Sequence, residues 1–165
     1  RSTPSNSSAA SDVYKRQAFH VAQPDPEGMG ATRAMQWAIK DAGLSPEDVD
    51  YINTHGSSTP VSDPIETQAI KRVFGKRAYE IPVNSTKSMI GHAMGGSGAI
   101  EAAVCVLTVE RGVVHPTINL ETPDPECDLD YVAEGARQVE VRVALNNSFG
   151  LGGQNACLVV GRFEG

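Results

Sequence analysis

Apolar residues from Gly28 onward fall at helical spacing. Ala31, Ala34, Met35, Ala38 and Ala42 share one face and Gly43 follows them, which predicts a helix closed by glycine. Ser45, Pro46, Glu47 and Asp48 read as a cap, a first-turn proline and two acids, hence a short helical turn. Val49 to Asn53 is extended and places His55 at its C-terminal end. Asp63-Pro64-Ile65-Glu66 has the form of a capping box with proline at the first helical position, and Ile65, Ala69, Ile70 and Val73 predict a second helix ending at Gly75. Ile81 to Asn84 predicts another strand. From Ala93 to about Arg111 the residues are small or apolar on nearly every side, as in a helix buried within a protein. Val139, Val141, Val143 and Leu145 alternate onto one face, and Ala156 to Val160 is a continuous apolar run, so two strands are expected across the loop NNSFGLGGQN. Helices alternating with strands predict an α/β layered domain.

Two stretches lack such a pattern. Arg1 to Gln17 (RSTPSNSSAASDVYKRQ) is serine-rich with few large apolar residues, and is expected to be disordered or a foreign cloning scar, leaving residues 18–165 as the domain. VVHPTINLETPDPECDLDY, after Gly112, is expected to run as a long irregular connection over the surface. A net charge of -6 and the absence of a basic stripe argue against nucleic acid. No apolar run approaches the roughly 18 residues of a membrane span, so a soluble chain is expected. Cys105, Cys127 and Cys157 are odd in number and widely spaced, which fits a reducing compartment better than a disulfide framework.

The chemistry concentrates in NSTKSMIGHAMGGSGAIE, Asn84 to Glu101. With a helix starting near Ala93, His92 lies at its positive end, which favours a neutral imidazole able to donate to a developing oxyanion. Lys87 before the helix and Glu101 within it are placed for a buried ion pair. His55, at a strand end, adds a second histidine where α/β sheets gather ligand sites. The glycines of NNSFGLGGQN permit close backbone approach and aim amide groups at a ligand. Each feature also has a plain structural reading, His92 as a helix cap and the glycine loop as a hairpin. HExxH and CxxC spacings are absent, so the pattern indicates no metal, and His20 and His115 are expected to be ordinary surface residues.

Four stretches, HGSSTPVSDPIET, NSTKSMIGHAMGGSGAIEA, PTINLETPDPECDLDYV and NNSFGLGGQNA, in this order and spacing, resemble the C-terminal half of the β-ketoacyl-acyl carrier protein synthases of the type I/II class, closest to the elongating synthase II type. The likeness runs from about Ala18 to Phe163. It implies a thiolase-like fold of layered α-β-α-β-α architecture with only the C-terminal α/β half present, and a homodimer in the full-length parent. It implies decarboxylative Claisen condensation of an acyl-cysteine thioester with malonyl-acyl carrier protein. By the same resemblance His55 and His92 match the catalytic histidines, Lys87 the site lysine and Glu101 the carboxylate of its hydrogen-bond network. Ser57 and Thr59 match hydroxyls that bind the pantetheine arm. Phe149, Gly150, Leu151 and Gly152 match the oxyanion-hole and gate segment. The implied partner is acyl carrier protein, with no cofactor beyond its phosphopantetheine and with neither nucleic acid nor membrane. The implied location is the bacterial cytoplasm, or a plastid or mitochondrion in a eukaryote.

Two departures qualify the likeness. Leu151 stands where the family usually has phenylalanine, which implies altered gating. None of the cysteines lies in a nucleophile setting, so the chain alone is expected to be inactive. The rivals are a polyketide ketosynthase fragment, a non-catalytic chain-length-factor-like subunit, in which catalytic histidines are commonly lost, and a truncated piece exposing apolar helix surface.

Overall fold

The computed structural model describes residue 20 and residues 22–163, so the expectation for residues 1–17 lies outside the described residues. Helix α1 spans Met29–Asp41. Its start is set by Asp25, whose carboxylate accepts the N–H groups of Glu27 (3.1 Å) and Met29 (3.2 Å). Gly28 is left-handed (φ +61), and a Cβ there would lie 3.1 Å from Ile65 Cγ2, so glycine permits both the turn and the contact with the second helix. The buried face holds Ala31, Thr32, Ala34, Met35 and Ile39, while Ala42 is exposed. The helical period was legible, but the face is rotated toward Thr32 and Ile39.

The expected turn at Pro46–Asp48 is a single 3-10 turn capped by Ser45. Strand β1 (Tyr51–Asn53) follows, then helix α2 (Ser62–Phe74), strand β2 (Val83–Asn84), the one-turn helix α3 (Lys87–Ile90) and helix α4 (Ser97–Arg111). The long connection after α4 is less irregular than its prolines suggest. It begins in strand β3 (Val113–Val114), pairs with β4 (Arg137–Gln138), and buries Val114, Leu129 and Val132. Strands β5 (Val143–Gly150) and β6 (Gln154–Gly161) end the chain.

The main sheet has the order β2-β1-β5-β6. β1 runs parallel to β2 and β5, and β6 is antiparallel to β5. One face packs on α1 and α2 through Met35, Ile39, Ile52, Ile70 and Leu145. Each such fully buried side chain contributes about 1.5–3 kcal/mol. The other face packs on α4 through Tyr51, Ala144, Cys105 and Val109. The layers are therefore helix, sheet, helix.

Three further expectations are corrected. Val139 and Val141 pack on the α4 side whereas Val143 and Leu145 pack on the α1 side, because β5 begins only at Val143 and no single strand spans the alternation. Asn146 to Gly150 belong to β5, which narrows the expected loop to a turn at Leu151–Gly153. Helix α4 is not enclosed: Ile100, Val106 and Leu107 are exposed on the face turned away from the sheet.

Candidate active site

The three parallel strands end at the same edge of the sheet, and each hands its chain to a candidate side chain: β1 to His55, β2 to Lys87 and β5 to the Leu151 turn. Where parallel strands end, backbone groups are released from pairing and become available to a ligand.

His55 leaves β1 in a loop whose main chain is clamped from below. Its N–H donates to Glu66 Oε1 (2.9 Å) and the Gly56 N–H to Glu66 Oε2 (2.9 Å). The expected capping box at Asp63 is therefore not formed. Helix α2 begins two residues before the expected first helical position, at Ser62 instead of Pro64, and Glu66 turns into the core instead of back onto its own helix end. Gly56 is left-handed (φ +35), and a Cβ on it would stand 2.6 Å from Ser85 Cβ, so only glycine lets the His55 loop rest on the segment leading to Lys87.

The His55 ring lies 5.5 Å from the His92 ring, edge to face, and 5.8 Å from the Phe149 ring. Burial first, then the Lys87 charge and the neighbouring His92, bring His55 down from 6.5 to about 4, so it is a neutral imidazole near pH 7. His92 is not at the start of α4 as expected. Met94–Gly96 form a 3-10 turn and the helix begins at Ser97. Ser97 Oγ still reaches His92 Nδ1 (2.9 Å), and the Met94 N–H donates to the same nitrogen (3.1 Å). Nδ1 thus accepts, so a neutral His92 ring carries its proton on Nε2 and presents that N–H as donor.

Lys87 is buried, and its ammonium donates to Glu101 Oε1 on α4. Glu101 Oε2 and Asn146 Oδ1 are buried without a partner among the described residues. Beneath the pair, asparagines stand side by side on three strands, Asn84 and Asn146 flanking Asn53. Asn84 Oδ1 accepts the Tyr51 hydroxyl (2.6 Å), Asn53 Nδ2 donates to Thr86 Oγ1 (2.6 Å), and Asn146 Nδ2 donates to Gly98 O (3.4 Å). His115 joins this network rather than lying on the surface. It is half-buried, with Nε2 3.3 Å from Thr86 Oγ1 and its carbonyl accepting from Asn84 Nδ2.

Ser57 and Thr59 sit in the loop between His55 and α2, and Thr59 Oγ1 accepts the Ser62 N–H (3.1 Å). Leu151 is 75% exposed at the β5–β6 turn, where Gly152 and Gly153 are left-handed. Burial pushes the Cys105 thiol up to about 12 and raises Cys127 and Cys157, so no described cysteine is poised as a thiolate near neutrality. Among the described residues no group of three or more His, Cys, Asp or Glu is placed to hold a metal.

Glu66 and the asparagines were missed by sequence reasoning. Glu66 was hidden by its capping-box position. The asparagines left a signal, since VDYIN, IPVN and VALNN each end an apolar strand in that residue.

The model of the β-ketoacyl synthase C-terminal domain family matches residues 8–121. The chain is 56% identical over 147 residues to 3-oxoacyl-[acyl-carrier-protein] synthase 2 of Synechocystis sp., covering 89% of this chain and 35% of that protein. It is 50% identical over 145 residues to the synthase of the same name from Coxiella burnetii, covering 88% and 35% respectively. Among solved structures, it superposes with TM-score 0.86 and 43% identity on a type II polyketide synthase acyl-carrier protein in complex with its ketosynthase, covering 89% of this chain and 36% of that one. A β-ketoacyl synthase from Burkholderia phymatum gives TM-score 0.82 at 38% identity, covering 89% and 35%. The chain spans about a third of the length of these relatives.

Proposed function

The chain belongs to the β-ketoacyl synthase C-terminal domain family, and from that premise we propose that it is the histidine-bearing half of a condensing enzyme of fatty acid elongation. The reading rests above all on the neutral His55 ring edge-to-face with His92 at 5.5 Å, beside the buried Lys87–Glu101 pair. A malonyl thioester bound there loses carbon dioxide by cleavage of its carboxylate C–C bond, and the electron pair passes to the thioester oxygen as an enolate. The imidazole N–H groups of His55 and His92 stabilise that charge. The enolate carbon then attacks an acyl-cysteine thioester carried by residues outside this chain. The resulting oxyanion takes the Leu151 N–H, and the cysteine thiolate leaves. Lys87 and Glu101 hold the site's charge balance, Phe149 to Gly152 shape its rim, and Ser57 and Thr59 receive the phosphopantetheine arm of an acyl carrier protein.

Residues 18–165 form the catalytic half-domain in this account, the parent is a homodimer, and no other cofactor is needed. No described helix is long and apolar enough to cross a membrane. We place the parent in the bacterial cytoplasm, or in a plastid or mitochondrion of a eukaryote. A polyketide ketosynthase is the nearest alternative, and identity of 56% to an elongating synthase against 43% to the polyketide ketosynthase favours fatty acid synthesis. Retention of both histidines and the lysine weighs against a non-catalytic chain-length factor. The test is a chimera joining the N-terminal two thirds of an elongating synthase to this chain at Ala22. It is expected to form 3-oxoacyl-acyl carrier protein from acyl and malonyl carriers, and a folded, inert chimera would overturn the proposal.

A further inference from the structure

Among the described residues, Glu66 is the one buried carboxylate that the proposed mechanism does not use, and its contacts join three elements. From α2 it takes the N–H groups of His55 (2.9 Å) and Gly56 (2.9 Å), and the Asn147 amide Nδ2 on β5 (3.0 Å). Asn147 lies two residues before Phe149 on the strand that ends at the Leu151 turn. Its Oδ1 is buried without a partner among the described residues, and its Nδ2 also approaches Met35 Sδ (3.4 Å) on α1. We propose that Glu66 is a positioning residue whose ionised carboxylate fixes the His55 loop relative to β5, and that its protonation changes that register.

The physical reason lies in the donor count. An ionised carboxylate accepts all three N–H groups at full strength, while a protonated one becomes a donor on one oxygen and needs an acceptor. The unpartnered Asn147 Oδ1 supplies it after rotation of the amide, which exchanges Nδ2 and Oδ1. Protonating Glu66 therefore weakens the hold on His55 and Gly56 and turns a side chain of the strand that carries Phe149.

Burial raises Glu66 from 4.5 to about 7, against the lowering effect of its three hydrogen bonds, so the change falls near neutrality. The groups facing it or the His55 loop are Asp63 on the same helix, Tyr131 from the long connection, Cys157 on β6, the His55 ring, and Lys87 and His92 across the site. His55 titrates well below this range, at about 4, and burial pushes Cys157 and Tyr131 upward, away from it.

The inference rests on the proposed function only in treating His55 and the Leu151 turn as parts of one site, and its test needs no activity. In the isotope-labelled 165-residue chain, the backbone amides of His55 and Gly56 and the side-chain amide of Asn147 are followed by NMR from pH 5 to 9. All three are expected to shift with one midpoint near 7, together with the Phe149 ring and the Leu151 amide, and Glu66→Gln is expected to abolish the step. The proposal is overturned if the His55 and Gly56 amides do not respond in the wild-type chain, if Phe149 and Leu151 stay fixed while they do, or if the step survives in Glu66→Gln. The last outcome assigns the titration to another group. Should Glu66→Gln not fold, Asn147→Ser serves instead, and it is expected to keep the His55 and Gly56 step while uncoupling Phe149 and Leu151. Inactivity of the chimera with this coupling intact would overturn the function and leave the positioning role standing.

Discussion

His55 and Glu66 have opposite pH signatures. His55 falls from 6.5 in the unfolded chain to about 4 in the fold, so between these values only the unfolded state gains the proton and stability is lost as pH falls. Glu66 rises from 4.5 to about 7, so its contribution is fully present below 4.5 and is lost as pH rises through 7. Between pH 4.5 and 6.5 the two slopes oppose each other. In urea titrations against pH, Glu66→Gln is expected to gain stability as pH rises from 4 to 6.5, and His55→Asn to lose stability as pH rises from 4.5 to 7. Slopes of the same sign in both variants would contradict these assignments. The Lys87–Glu101 pair makes a larger prediction. Glu101→Ala leaves a buried ammonium uncompensated and is expected to cost about 3–5 kcal/mol in urea unfolding, whereas Lys87→Met with Glu101→Leu recovers most of that loss. At Gly56, alanine meets both the positive φ and the 2.6 Å approach to Ser85 Cβ, and about 2 kcal/mol of destabilisation is expected by the same measurement.

At the scale of elements, the clearest periodicities gave the surest reading. α1 and α2 follow their apolar spacing because each packs one face on the sheet, and the glycines after them close both. The start of α4 was not legible, since Gly95 and Gly96 favour a tighter turn before Ser97 and nothing in the local sequence reports that preference. β5 runs on through Asn146 and Asn147, polar residues that suggest a loop until their partners on α4 and α2 are in place. His55, Lys87, His92 and Glu101 were readable as a set, whereas Glu66 was not, because a side chain's choice between its own helix end and a distant loop is made by tertiary packing. The two faces of α4 differ in what a substitution should do. Val109→Ala on the sheet side removes two buried methyl groups and is expected to cost about 2 kcal/mol. Val106→Asn with Leu107→Gln on the outer side is expected to change stability by less than about 0.5 kcal/mol. A large loss from the outer pair would mean that this face is already covered in the isolated chain, and sedimentation would reveal by what.

The molecule as a whole is a sheet with helices on both faces, in which one of the outer helices still presents apolar side chains. Its site is assembled at the ends of three parallel strands and contains bases, hydrogen-bond donors and an ion pair, while its cysteines are buried or unactivated. That combination supports a half-site completed by a nucleophile from elsewhere in the parent. In the proposed function, decarboxylation isolates this half's share of the work, since there it precedes carbon–carbon bond formation and draws on the two histidines. The most direct measurement is carbon dioxide release from malonyl-acyl carrier protein by the chimera and by its His55→Ala, His92→Ala and doubly substituted forms. Each single substitution is expected to slow release by about 100-fold, with the double variant slower by much less than the product of the two, because both rings serve one enolate. Release that is unchanged when both histidines are replaced would contradict the account.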